Sequence, residues 1–195
     1  MINAIVLAAG ESKRMGKPKA LLAFRDRTFL EQIVTILRSS RADGITVVLG
    51  AQADAIAQAV DLSDADVVIN RDYRKGQLSS LVAGLQHISQ QTEAILLCLV
   101  DHPFITAEIV DRIVDEFRRT RAAIVVPTFN QRRGHPTLFG RSMFKQLIDA
   151  PADKGARHVV YTNEDKVFEV AVSDGNILAG INTADDYRSH FGVDP

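Results

Sequence analysis

Residues Ala4 to Lys19 read AIVLAAGESKRMGKPK. Ala4 to Ala9 is an unbroken apolar run rich in Ile, Val and Leu. A short run without alternation suits a strand buried on both faces of a parallel sheet, because a strand with one wet face alternates. The run stops at Gly10 and a basic loop follows. Ala8, Ala9 and Gly10 carry little or no side chain, so a ligand can approach the backbone there. Successive amides in such a turn form an anion-binding concavity.

Outward from this stretch, three runs have the same character: Ile45 to Leu49, Val67 to Ile69 and Ala94 to Val100. A fifth, Ala122 to Val126, ends at Pro127. Between them the period becomes helical. In Thr28 to Ser39 the apolar Phe29, Ile33, Ile36 and Leu37 share one face, and Thr28 with Glu31 forms a T-x-x-E capping box. Thr106 to Thr120 carries one stripe of Ile109, Val110, Ile113, Val114 and Phe117; Ala53 to Val60 and Ser79 to Ile88 are weaker helical segments. Strands alternating with helices predict an α/β fold of three αβα layers, with a Rossmann-like, mostly parallel sheet and right-handed crossovers. After Pro127 the alternation breaks down. Asn130 to Pro136 is polar, Thr137 to Gly140, Val167 to Val172 and Asn176 to Ile181 read as short strands, and Ala184 to Phe191 reads as a closing helix. No repeat, low-complexity tract or linker divides the chain, so residues 1–195 are expected to form a single domain.

The 195 residues are 46% hydrophobic and 24% charged, which supports a core and argues against disorder. Lys and Arg total 23 against 24 Asp and Glu, a net charge of −1. That balance argues against nucleic acid or a membrane surface as the partner, since either calls for a broad basic excess. Within this neutral chain, Glu11 to Arg27 holds six basic and two acidic residues, a local excess of +4. The single cysteine, Cys98, excludes an intrachain disulfide, a cysteine zinc cluster and a CxxC pair, and fits a reducing cytoplasm. Cys98 itself reads as core. The longest apolar run is too short to span a bilayer, and the N-terminus lacks the layout of a signal peptide.

In open α/β sheets, ligands bind outside the carboxyl ends of the strands. The loop after the first strand run is not a P-loop, because five residues separate Gly10 from Gly16 and Pro18 follows Lys17. It is not G-x-G-x-x-G either, since Ser12 stands at the second glycine position. Taken alone, it reads equally well as a solvated basic loop. The fourth run ends in Val100-Asp101-His102-Pro103. An Asp there suits Mg²⁺ held by one or two carboxylates plus phosphates, and it also suits an ordinary turn before proline. A phosphate cradle and a metal carboxylate at one sheet edge would together form a nucleotide-phosphate site. Asp185 and Asp186 read as the acidic start of the last helix.

The stretch LAAGESKRMGKPKALL, Leu7 to Leu22, resembles the signature loop of the MobA-like nucleotidyltransferases. Four more stretches extend the resemblance toward the molybdenum cofactor cytidylyltransferase branch: NRDYRKGQLSSL at Asn70 to Leu81, DHP at Asp101 to Pro103, RGHPTLFG at Arg133 to Gly140 and INTADDY at Ile181 to Tyr187. The resemblance implies the nucleotide-diphospho-sugar transferase type of fold, with 1–127 as the nucleotide-binding half and 128–195 as the acceptor-binding, sheet-completing half. It implies that a phosphate monoester on molybdopterin attacks the α-phosphorus of CTP, with Mg²⁺ as cofactor and pyrophosphate leaving. A molybdenum hydroxylase would be the client protein, with no nucleic acid and no membrane involved.

Carried over residue by residue, Leu7, Ala8, Ala9 and Gly10 would contact the nucleotide, and Gly76, Ser79 and Ser80 would lie beside base and ribose. Arg14 would neutralise the triphosphate and Lys19 the charge developing at the α-phosphate; with Asp101 they form the implied catalytic set. Asp101 and Asn182 would hold the metal, and Arg133 and His135 would meet the acceptor. Outside the resembling stretches, Lys154 to Arg157 read as a small turn able to face the acceptor. Two departures stand out. Gly180-Ile181-Asn182-Thr183 replaces a common D-I-D-T, which leaves one metal position with less charge. His102 stands where Met is common, with little consequence expected. Ala9, where the guanylyl branch has glycine, matches the pyrimidine-using branch, although one methyl is worth only about 1–3 kcal/mol in a pocket. Rival readings are the same chemistry with GTP or a sugar-phosphate acceptor, and a non-catalytic chaperone for nucleotide or cofactor.

Overall fold

The first apolar run forms β1 (Ile2–Ala8), in which six of seven residues are buried. The computed structural model describes all of residues 1–195. In chain order there follow β2 (Ala23–Phe24), β3 (Arg27–Thr28), α1 (Phe29–Arg38), β4 (Gly44–Leu49), α2 (Ala53–Ala59), β5 (Asp66–Ile69), α3 (Gln77–His87), β6 (Ala94–Leu99) and α4 (Ala107–Thr120). The remainder comprises β7 (Ile124–Phe129), β8 (Arg132–Arg133), β9 (Thr137–Gly140), α5 (Phe144–Asp149), α6 (Gly155–Thr162), β10 (Val167–Ala171) and α7 (Ala184–Phe191).

The main sheet has the order β10-β7-β9-β6-β1-β4-β5, with β8 added to β7. It is parallel except at β9, antiparallel to β6 and β7, and at β8. Even residues of β1 (Ala4, Val6, Ala8) pack with α1 and α4, and Ile5 and Leu7 pack with Leu78, Leu81 and Leu85 of α3. Leu147 of α5 and Val159 of α6 join the second face. The result is the three-layer arrangement that uniformly apolar strands require. At Gly84 of α3 a Cβ would fall 2.9 Å from Ile5 Cγ2 and 3.1 Å from Val48 Cγ2, so its absence lets the helix lie close on the sheet.

Capping decides where α1 begins: Thr28 accepts from the Glu31 amide, and the Glu31 carboxylate accepts from the Thr28 amide. The chain steps from β1 to β4 to β5 in one direction, and α3 then crosses the opposite face to deliver β6 on the other side of β1. This reversal opens a crevice at the carboxyl ends of β1 and β6, where ligands of open α/β sheets bind.

Three sequence expectations change. Val67 and Ile69 are 39% and 50% exposed, because β5 is an edge strand and not a doubly covered one. Asn176 to Ile181 is not a strand: Asp174 caps a 3-10 turn over Gly175–Leu178 that drives Ile177 into the core. Lys154 and Gly155 close a turn on the Pro151 carbonyl, but Gly155 onward is α6. No helix is long and apolar enough to cross a membrane.

Candidate active site

The loop leaving β1 is held at several points. The Ser12 carbonyl accepts from the amides of Met15 (2.9 Å) and Gly16 (3.1 Å), and the Ser12 hydroxyl accepts from the Lys19 amide (3.0 Å). Met15 is buried and pins the loop to the core. Glu11 takes Lys13 (2.8 Å) and Arg74 (3.6 Å), and the Lys13 hydrogen bond is the main reason its carboxyl lies below the usual range. Arg14 lines the cleft above this loop and enters no ion pair. Two glycines differ in what they serve. A Cβ on Gly50 would fall 2.8 Å from the Ala9 carbonyl oxygen and 2.9 Å from the Ala9 methyl, so that glycine backs the loop. A Cβ on Gly10 would meet no protein atom within 4 Å. The bareness of Gly10 therefore keeps space open on the cleft side. The Ala9 methyl is turned toward Gly50.

Asp101 lies two residues beyond the end of β6. Lys19 Nζ donates to Asp101 Oδ2 at 3.1 Å and to Asn182 Oδ1 at 2.9 Å. The Lys19 and Asp101 side chains are 14% and 22% exposed, so the pair is sheltered but not sealed. Asn182 is placed by the chain entering α7: the Ile181 amide donates to the Asp101 carbonyl (2.8 Å) and the Asn182 amide to Asp186 Oδ2 (2.8 Å). Asp186 is the return arm of a capping box with Thr183, and the Asn182 amide is the largest cause of its lowered pKa. It serves the helix start, as expected. Two oxygens, one of them anionic, thus converge on one cation. Such a hard donor pair fits Mg²⁺, which takes one or two protein carboxylates or carbonyls and fills its shell with phosphates and water. No cluster of three or more Asp, Glu, His or Cys side chains exists to form a complete cage.

The remaining wall comes from the turn before α3. Gly76 has φ +102°, a region that favours glycine, and starts the helix at the cleft edge. Ser80 lines the cleft, and its hydroxyl accepts from Asn70 Nδ2 (3.0 Å). Ser79 does not line it: its hydroxyl is 2.8 Å from the Gly76 carbonyl and accepts from Asn70 Nδ2 (2.9 Å). Ser79 therefore shapes the turn. Asn70, Tyr73 and Gln77 were given no role from the sequence, although Asn70 follows a strand end just as Asp101 does. The whole cleft, about 330 Å³, is lined by Leu7, Ala8, Ala9, Gly10, Arg14, Lys19, Gly76, Ser80, Asp101 and Asn182 among others.

A second cavity of about 350 Å³ shares Gln77 and Leu99 with the first. Leu97, Val126, Phe139 and Val160 form its apolar wall, and His135, Arg133 and Arg157 reach it. Arg133 is already engaged, donating to Glu164 (2.8 and 2.6 Å) and Glu169 (2.8 Å). These bonds, Glu164 foremost, raise its pKa, and they brace β8 against β10. Arg157 has no carboxylate partner and stacks on Tyr161 at 5.1 Å. His135 and His102 lie with ring centroids 4.6 Å apart, each with a buried, unpartnered Nδ1. Burial, with a smaller push from His102, brings the His135 pKa down to about 4, and burial also lowers that of His102. Both imidazoles are neutral at neutral pH. A Cβ on Gly180 would lie 3.1 Å from His102 Nε2. His102 is thus a packing partner of both His135 and the 180–182 segment. Cys98 is core, with its thiol pushed up to about 12 by burial.

Known proteins resemble this chain in sequence and in fold. The MobA-like NTP transferase domain profile matches residues 4–167. The chain is 31% identical over 163 residues to nicotine blue oxidoreductase of Paenarthrobacter nicotinovorans, covering 80% of this chain and 79% of that one. It is 27% identical over 189 residues to molybdenum cofactor cytidylyltransferase of Escherichia coli K12 (95% and 93% covered). It is 29% identical over 191 residues to a probable molybdenum cofactor guanylyltransferase of Mycobacterium avium (95% and 92%). Rv0371C of Mycobacterium tuberculosis H37Rv, solved in complex with manganese, matches with TM-score 0.84 at 33% identity over 96% of each chain.

Proposed function

This chain belongs to the MobA-like NTP transferase domain family, and from that premise we propose that it is a molybdenum cofactor cytidylyltransferase. In the proposed reaction an oxygen of the molybdopterin phosphate forms a bond to the α-phosphorus of CTP. The bond between the α-phosphorus and its bridging oxygen to the β-phosphate breaks, and pyrophosphate leaves. The observation that carries this reading is the meeting of Lys19, Asp101 and Asn182 at the β1/β6 crevice, beside the unpaired Arg14.

Phosphoryl-type transfer asks a protein mainly for alignment and charge stabilisation. The amides around Ala8 to Gly10 and the Arg14 guanidinium, which line the cleft, would meet the triphosphate, and the Lys19 ammonium would meet charge developing at the α-phosphate. Asp101 and Asn182 would hold Mg²⁺, which supplies Lewis-acid neutralisation of phosphate charge when bound. That the Mycobacterium tuberculosis relative was solved in complex with manganese supports a divalent ion as a ligand of such a chain. The acceptor phosphate is already anionic, so no strong general base is needed. The adjoining cavity would receive the acceptor, with neutral His135 and cationic Arg157 as its polar contacts. Arg133 acts there as a brace, since its guanidinium is held by Glu164 and Glu169.

CTP as donor rests on the LAAG loop, and the relatives include both cytidylyl and guanylyl enzymes. The deciding experiment is pyrophosphate release with purified molybdenum cofactor, Mg²⁺ and each of the four nucleoside triphosphates. CTP-specific release is expected. A preference for GTP moves the protein to the guanylyl reading. Absence of release with every nucleotide favours either a non-catalytic partner or a redox reaction such as that named for the Paenarthrobacter relative.

A further inference from the structure

The Lys19 ammonium occupies the place at which Asp101 Oδ2 and Asn182 Oδ1 converge, 3.1 and 2.9 Å away. These are the two oxygens assigned above to the metal. A divalent ion and an ammonium cannot both keep the same pair of oxygens as direct contacts, because like charges so close repel strongly and each oxygen is already committed. We propose that Lys19 is a built-in surrogate cation that excludes the divalent metal from Asp101 and Asn182 until a polyphosphate draws the ammonium away. The inference rests on reading those two residues as the metal pair, and it is independent of which base or acceptor the protein uses.

The surroundings favour such an exchange. Lys19 has a flexible stem, its amide is fixed on Ser12 at 3.0 Å, and its side chain faces the cleft at 14% exposure. The ammonium can therefore pivot without moving the backbone. Arg14 stands in the same cleft with no carboxylate of its own, ready for the first phosphate contacts. A polyphosphate arriving there offers Lys19 several anionic oxygens in exchange for one carboxylate and one amide. Once Lys19 turns to them, Asp101 is left without a counter-charge and the metal has a vacant anionic ligand. Binding is then ordered, polyphosphate before metal, and the free protein holds divalent ions weakly.

The test uses Mn²⁺ alone, with the full chain and no nucleotide, titrated by electron paramagnetic resonance of the free ion. Lys19→Met should bind Mn²⁺ about tenfold more tightly than the unaltered protein, equivalent to about 1.4 kcal/mol. Arg14→Met removes the same charge from the cleft without touching either oxygen, and should change Mn²⁺ affinity far less. Equal or weaker binding by Lys19→Met overturns the proposal. An equal gain in both variants also overturns it, since it leaves only a long-range field. Failure of every form to bind Mn²⁺ removes the metal pair and the proposal with it.

Should Lys19→Met fail to fold, the unaltered protein supplies a second reading. The Lys19 Nζ–H resonance, held by two acceptors, should persist when Mg²⁺ is added alone and collapse into solvent exchange when inorganic triphosphate is added with it. Its persistence while the Asn182 side-chain amide reports bound Mg²⁺ overturns the exchange. Neither measurement involves nucleotide transfer, so an inactive cytidylyl assay cannot imitate either outcome.

Discussion

Replacing Lys19 by methionine keeps the length of the side chain and removes its charge. In the free protein the loss is small. The Lys19–Asp101 pair is partly open to water, with 14% and 22% exposure, and pairs of this kind contribute about 1 kcal/mol or less once solvent screening is allowed for. For a chain of this size that corresponds to a fall in Tm of roughly 2–4 °C. In the transition state the loss is larger. A donor aimed at developing charge in a sheltered site is worth about 2.7–4 kcal/mol, or roughly 10²–10³-fold in kcat. The backbone cradle of Ala8 to Gly10 and the Arg14 side chain remain, so KM for CTP should move much less than kcat. Steady-state pyrophosphate release with CTP and purified cofactor separates the two. Unaltered kcat would refute the reasoning, and so would a rise in KM that accounts for the entire loss, because Lys19 would then serve ground-state binding alone.

Asp101→Asn preserves shape and a Lys19 acceptor but removes the negative charge, so Mg²⁺-dependent pyrophosphate release should be lost with an unchanged near-UV circular dichroism spectrum; full activity would exclude Asp101 as the metal residue. Arg133→Met should lower stability by about 1 kcal/mol, because exposed ion pairs contribute little each, and denaturant titration reads this. Arg157→Met should leave stability alone and raise KM for the acceptor, and the reverse pattern would exchange their roles. His135 has a folded pKa of about 4, below its ordinary 6.5, so the unfolded chain binds the extra proton first. Its contribution is present above pH 6.5 and is lost as pH falls toward 4, by roughly 3 kcal/mol at most. His135→Asn should flatten that part of the stability profile, which urea midpoints across the window measure; an unchanged slope would place the loss on His102 and the carboxylates.

Much of the framework was legible because its causes are local. The β1, β4 and β6 runs are apolar on successive residues, and only a strand covered on both faces uses such a pattern. The starts of α1 and α7 were legible from Thr28–Glu31 and from the acidic pair after Thr183, since a capping box lies within four residues. The exposure of Val67 and Ile69 was not legible, because an edge strand differs from a central one only in what lies beside it. Helices α5 and α6 are 6 and 8 residues long, too short for a helical period to stand out. The segment after Gly175 is apolar for its role as a plug, and apolarity without alternation reads as a strand.

The apolar strand runs, the small residues Ala8 to Gly10 and the basic loop after β1 are readable in local sequence, because each depends on neighbours along the chain. The signature loop, the DHP stretch and the INTADDY stretch also identified Lys19, Asp101 and Asn182, respectively, as candidates. What those candidates do to one another follows from tertiary packing. Lys19 lies 82 residues from Asp101 and 163 from Asn182, and they meet because the chain reverses across the sheet to place β6 beside β1. The same holds for Arg133, whose guanidinium is taken by Glu164 and Glu169, 31 and 36 positions away, leaving Arg157 as the cation without a carboxylate in that cavity. It holds for His102, unremarkable in DHP until His135 packs against it at a tilt. Pattern along the chain can assign a residue type to a sheet edge. Which charge is already satisfied there depends on partners brought from far along the chain, and that decides which groups remain for a ligand.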